Sequence, residues 1–160
     1  MFYRVFAQTP ERGLDLAPWV RNARRFFEAT LEILDAPPRT PADDSALPSW
    51  ALVRIASARR AFQADFRVES RAALAVDWDA ARRAERNGSA GGMGELAARC
   101  PQIWELKPAS EASEAATLNL CALLASVALG PVLPPDESTL FGIRGAMERL
   151  ERLTGPSLSR

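Results

Sequence analysis

The residues of this chain best spaced for chemistry lie in one short apolar run, Ile103-Trp104-Glu105-Leu106-Lys107. In an extended strand, side chains two apart share a face, so Glu105 and Lys107 would project together. An acidic segment, Val76-Asp77-Trp78-Asp79, precedes them and offers Asp79, or alternatively Asp77, as a second carboxylate. Two carboxylates and an amine converging on one point could hold a divalent cation and polarise a water for attack on a phosphodiester. Lys107 is the only lysine in the chain. The chain has no histidine, so imidazole catalysis, histidine-bearing zinc sites and histidine-ligated haem are excluded.

An acidic strand followed by an apolar strand carrying E-x-K resembles the motif of the PD-(D/E)xK nuclease-like superfamily. The resemblance spans about residues 79–107, and the proline of the family motif precedes neither Asp77 nor Asp79. It implies a metal-dependent phosphodiesterase in which Asp79 and Glu105 hold magnesium while Lys107 polarises the nucleophile or phosphate. The competing reading is a half-exposed strand on which Glu105 and Lys107 simply face water. Under that reading there is no cofactor and no metal.

Other constellations carry less. Gly88 to Gly94 could cradle a phosphate ahead of a helical turn at Glu95–Cys100. It lacks the G-K-[ST] ending of a P-loop, and Glu95 would repel an anion, so a loop is expected. Cys100 and Cys121 are too few for a disulfide framework and read as buried, reduced thiols of a cytoplasmic protein. The four tryptophans, Trp19, Trp50, Trp78 and Trp104, all fall in apolar patterns, which points to burial in a core or an interface.

Composition bounds the function further. The chain has 160 residues, 48% of them hydrophobic, which suits one domain spanning 1–160. Twenty basic residues balance 20 acidic ones, so no net field attracts nucleic acid or an anionic membrane. The dominance of arginine over lysine, with abundant alanine, fits the codon usage of a GC-rich bacterial genome. No signal-peptide pattern opens the sequence. The most apolar stretch, Leu118 to Leu133, is shorter than the roughly 20 residues of a membrane span.

The elements that would position these residues read as follows. A strand is expected over 2–8 and a helix over 17–35, with Pro18 in its first turn and Trp19, Ala23, Phe26, Phe27, Thr30, Leu31 and Leu34 on one face. Residues 36–48 hold four prolines and form an extended connector. Strands are expected at 50–56, 62–69 and 73–78, a helix at 79–86, a glycine-rich loop at 88–94 and a strand at 102–107. Further helices follow from Ser110 to about Leu129 and from Ser138 to Leu153. The architecture is therefore α+β, a mostly antiparallel sheet of four or five strands packed by three longer helices. The alternative is an all-α fold with a short N-terminal strand, if residues 50–78 are helical.

For function, the expectation is a non-catalytic interaction module of the bacterial cytoplasm, such as an adaptor, a chaperone-like protein or a toxin-immunity-like protein. A protein partner or homo-oligomer is expected before a small molecule. The alternative is the metal-dependent phosphodiesterase on Asp79, Glu105 and Lys107.

Overall fold

The computed structural model of the protein describes residues 2–38, 47–88 and 91–154. Among them are six strands and five helices in the order β1 (Tyr3–Ala7), α1 (Ala17–Phe26), β2 (Thr30–Asp35), β3 (Trp50–Ser57), β4 (Phe62–Ala72), α2 (Ala75–Asn87), α3 (Met93–Ala98), β5 (Gln102–Pro108), α4 (Glu114–Ala128), β6 (Val132–Leu133) and α5 (Ile143–Thr154). The strands form one sheet ordered β2-β3-β4-β5-β1-β6, and every pairing is antiparallel. The α+β reading holds, with more strands and more helices than expected. The all-α alternative is overturned by the β3–β4 hairpin, whose ladder runs unbroken from Trp50↔Glu69 to Ser57↔Phe62.

Period-two alternation gives the sheet two unlike faces. One carries Val5, Ala51, Val53, Ile55, Phe66, Val68, Trp104 and Leu106, all buried. Helix α4 lies on this face. From Ala116 to Ala125 it is buried at every position, because α1 and α5 also pack against it. A helix that is apolar all round must be covered on all sides. Its start is fixed by Ser113, whose Oγ accepts the Ala116 N–H at 3.1 Å.

The second face is divided. Over β5, β1 and β6, Phe6, Ile103 and Leu133 pack with Ala80, Ala81 and Ala84 of α2 and Ala97 of α3. Over β4, β3 and β2 the same face carries polar side chains, and no helix covers it among the described residues.

Several boundaries depart from expectation. The helix anticipated over 17–35 stops at Phe26. Glu28 then takes a left-handed conformation (φ 51°), and Thr30–Asp35 pairs with β3. Leu31 and Ile33 point inward there and Glu32 outward, an alternation that the helical spacing of Thr30, Leu31 and Leu34 conceals. The strand expected at 73–78 is the first turn of α2, because Asp77 caps that helix from within, accepting the Leu74 N–H at 2.9 Å. The last helix begins at Ile143 rather than Ser138, since Phe141 exchanges backbone hydrogen bonds with Val132. Of the connector 36–48, residues 39–46 lie outside the described residues, as do 89–90 of the glycine loop.

Candidate functional site

The register of β4 against β5 decides what surrounds the E-x-K pair. Glu105 lies opposite Glu69, Lys107 opposite Arg67, and Ile103 opposite Arg71. On the other side of β5, Glu105 lies opposite Arg4 of β1. Glu105 and Lys107 therefore share a face, as their spacing requires. Each meets charged neighbours rather than open water. Two glutamates directly across a ladder repel one another. Here cations interleave them: Arg67 Nε meets Glu69 at 2.6 Å, Lys107 Nζ meets its other oxygen, and Arg71 Nε meets Glu105 at 2.9 Å.

Arg71 also reaches Asp77, with Nη1 and Nη2 at 2.7 and 2.8 Å from the two carboxylate oxygens. Arg4 adds a third bond to the same carboxylate at 3.0 Å and extends to Glu137 at 2.6 Å. The Asp77 side chain is 1% exposed, so this is a buried charge met by two guanidiniums and a backbone N–H. Burial pushes its carboxyl up, but the bonds from Arg71, Leu74 and Arg4 outweigh that and hold it below the usual carboxylate range. Glu69 is likewise held low, first by Lys107 and then by Arg67. Arg71 is pushed upward mainly by its bonds to Asp77.

Of the two upstream aspartates, the structure brings Asp77 to the pair and leaves Asp79 aside. Asp79 projects from the exposed side of α2 and bonds Arg82 at 3.3 Å. Asp77 and Glu105 meet, but through the Arg71 guanidinium, which occupies the position between the carboxylates that a cation would take. No group of three or more potential metal ligands occurs among the described residues.

Motif spacing does not single out Arg4, Arg71, Glu69 or Glu137. A signal for two of them exists in β4, where Asp65, Arg67, Glu69 and Arg71 alternate in sign at every second position. Such a row belongs to one polar face. It continues across β3, where Arg54 bonds Asp65 at 2.8 Å.

Aromatic groups border the charges. The Arg67 guanidinium lies 4.2 Å from the centre of the Trp50 ring, and Lys107 Nζ lies 5.4 Å from that of Phe2. Trp50 and Leu52 are half-buried and Phe2 is exposed. Trp19 and Trp104 are buried together, with ring centroids 5.5 Å apart, and Trp78 donates its Nε1–H to the Cys100 carbonyl. Both cysteines are buried and unpaired; burial raises the Cys100 thiol to about 11 and Cys121 still further. No helix among the described residues is long and apolar enough to cross a membrane. No protein-family model matches the sequence, and searches of curated proteins and of solved structures also found no match.

Proposed function

We propose that the chain is a non-catalytic protein-interaction module of the bacterial cytoplasm that docks its partner on the uncovered half of the polar sheet face. The observation that carries this reading is the Arg67 guanidinium over the Trp50 ring on the half of the face that no helix covers among the described residues, with Lys107 and Phe2 paired at its border. Aromatic and arginine side chains are the types enriched at the cores of protein interfaces. A rigid sheet presents them with little ordering cost, because the ion pairs already fix the long side chains. The partner would be a protein surface that offers charges of both signs around an apolar group seated near Leu52. Two buried, unpaired thiols suit a reducing compartment.

The test is affinity capture by the wild-type chain and by Arg67→Glu/Lys107→Glu, from the cells that make the protein. A defined protein, or a second copy of the chain, should be held by the wild type and lost in the variant. Equal recovery by both, or a chain that stays monomeric and holds nothing, contradicts the proposal.

A metal-dependent phosphodiesterase is the second reading, and what favours it is that Asp77 and Glu105 bond the same Arg71 guanidinium. It requires Arg71 to swing away from both carboxylates, which makes it the weaker of the two. In this reading magnesium would be held by Glu105, with Asp77 in the place of Asp79, and Lys107 would face the phosphate. A thermal-shift series with magnesium and manganese checks it. Stabilisation lost in Glu105→Ala would support a metal site, and no stabilisation would remove it.

A further inference from the structure

The polar sheet face does not carry its charges evenly. Leu52, Arg67 and Lys107 stand abreast on β3, β4 and β5, and the row beside them is Trp50, Glu69 and Glu105. Three arginines, Arg4, Arg71 and Arg83, share three carboxylates, those of Asp77, Glu105 and Glu137. Arg54 and Asp65 pair one to one. Arg67 and Lys107 instead share the single carboxylate of Glu69, one oxygen each. Among the described residues, that trio holds one positive charge more than its carboxylate balances.

The hydrogen bonds locate the surplus. Arg54 binds Asp65 through Nε and Nη2, and Arg71 commits Nε, Nη1 and Nη2 to Glu105 and Asp77. Arg4 uses both terminal nitrogens, on Asp77 and Glu137. Arg67 donates only from Nε, at 2.6 Å, so its Nη1–Nη2 fork has no acceptor among the described residues. The Arg67 side chain is 43% exposed, yet Glu69 holds one edge of it and the Trp50 ring centre lies 4.2 Å away. A guanidinium fork matches a carboxylate with two parallel bonds. Fixing the fork beforehand lowers the ordering cost of binding one.

We infer, on the basis of the docking face proposed above, that the partner protein sets an Asp or Glu side chain between Arg67 and Lys107. These two cations are direct neighbours across the β4–β5 ladder, so one carboxylate reaches both. An apolar residue beside that carboxylate packs on the half-buried Leu52 and the Trp50 ring. A partner bringing a cation to the same point meets like charge, which costs affinity and slows encounter.

Lys107 is the only lysine, so a carbodiimide, which joins a carboxylate to an amine with no spacer, has one side-chain amine to use. The chain is treated with a water-soluble carbodiimide in an extract of the cells that make it, and the Lys107 peptide is read by mass spectrometry. We expect an amide from Lys107 to an Asp or Glu of one defined protein, absent in Lys107→Arg. The internal amide to Glu69 shows that the reagent reached the site. The joined protein is then titrated against two variants. Arg67→Gln should bind it about tenfold more weakly, the loss expected for a charge-assisted pair. Glu69→Gln, which leaves both cations without a counter-ion, should bind it more tightly, whereas a merely damaged face would weaken in both. An internal amide alone, while a photo-crosslinker at Leu52 joins a protein, would overturn the inference and leave the docking face standing, and so would weaker binding by Glu69→Gln. No protein joined at either position would overturn both.

Discussion

Replacing Asp77 by asparagine should weaken the fold more than any other charge substitution on the polar face. The side chain keeps its shape and can still accept the Leu74 N–H, but it loses the charge that compensates Arg4 and Arg71. Removing one partner from a buried ion pair costs about 3–5 kcal/mol. The Arg71 side chain is 33% exposed and keeps Glu105, and Arg4 keeps Glu137, which reduces the loss. We expect about 2–3 kcal/mol, or roughly 4–12 °C in Tm for a chain of this size. Urea unfolding of both proteins across pH reads it directly. Because the folded Asp77 carboxyl is held below its unfolded value, its contribution is complete above about pH 4 and is lost as pH falls through the folded value. The gap between wild type and Asp77→Asn should therefore be constant from pH 5 to pH 8. Below pH 4 it should narrow as the wild type protonates. A gap below about 0.5 kcal/mol at neutral pH, or one that persists undiminished into strong acid, would refute the reasoning.

Two further outcomes follow from local geometry. Cys100 and Cys121 should resist iodoacetamide in the native state at pH 8, since burial raises both thiols, and should both label on unfolding; rapid native labelling would contradict their burial. Ala61 closes the β3–β4 hairpin at φ 54°, a left-handed conformation that costs a residue with a Cβ, so Ala61→Gly should raise stability by about 0.5–1 kcal/mol in urea unfolding, and a loss of stability would contradict the assignment.

The parts of this fold legible in the sequence are those where one local rule acts alone. Strands β3 and β5 lie close to where alternation puts them, and so does most of β4. Where two rules compete, local spacing misleads. Thr30, Leu31 and Leu34 extend the spacing of α1, and only pairing with β3 shows that the chain has already turned at Glu28. Ala73 to Trp78 alternates like a strand, but Asp77 is better used capping α2 than standing on a sheet. The two residues of β6 are too short to carry a pattern. They are placed where Gly130 packs so closely on Phe6 that an added Cβ would lie 1.9 Å from its carbonyl oxygen.

The same division runs through the site. That Glu105 and Lys107 share a face follows from their spacing. That Arg71 stands between Glu105 and Asp77 depends on the β4–β5 register and on the path of the chain into α2, which no local spacing encodes. Alternation of charge along β4 was the available clue, and it distinguishes a polar face from a core face without naming the partners. Absence of histidine removed imidazole chemistry, and the structure then filled the remaining carboxylate–lysine constellation with arginine.

The most direct test of the docking face is a photo-crosslinker, p-benzoylphenylalanine, placed at Leu52 between Trp50 and Arg54, with the exposed Arg21 of α1 as the control position. Irradiation in the producing cells should join one defined protein, or a second copy of the chain, to position 52 and not to position 21. Adducts at both positions alike, or at neither, would contradict it.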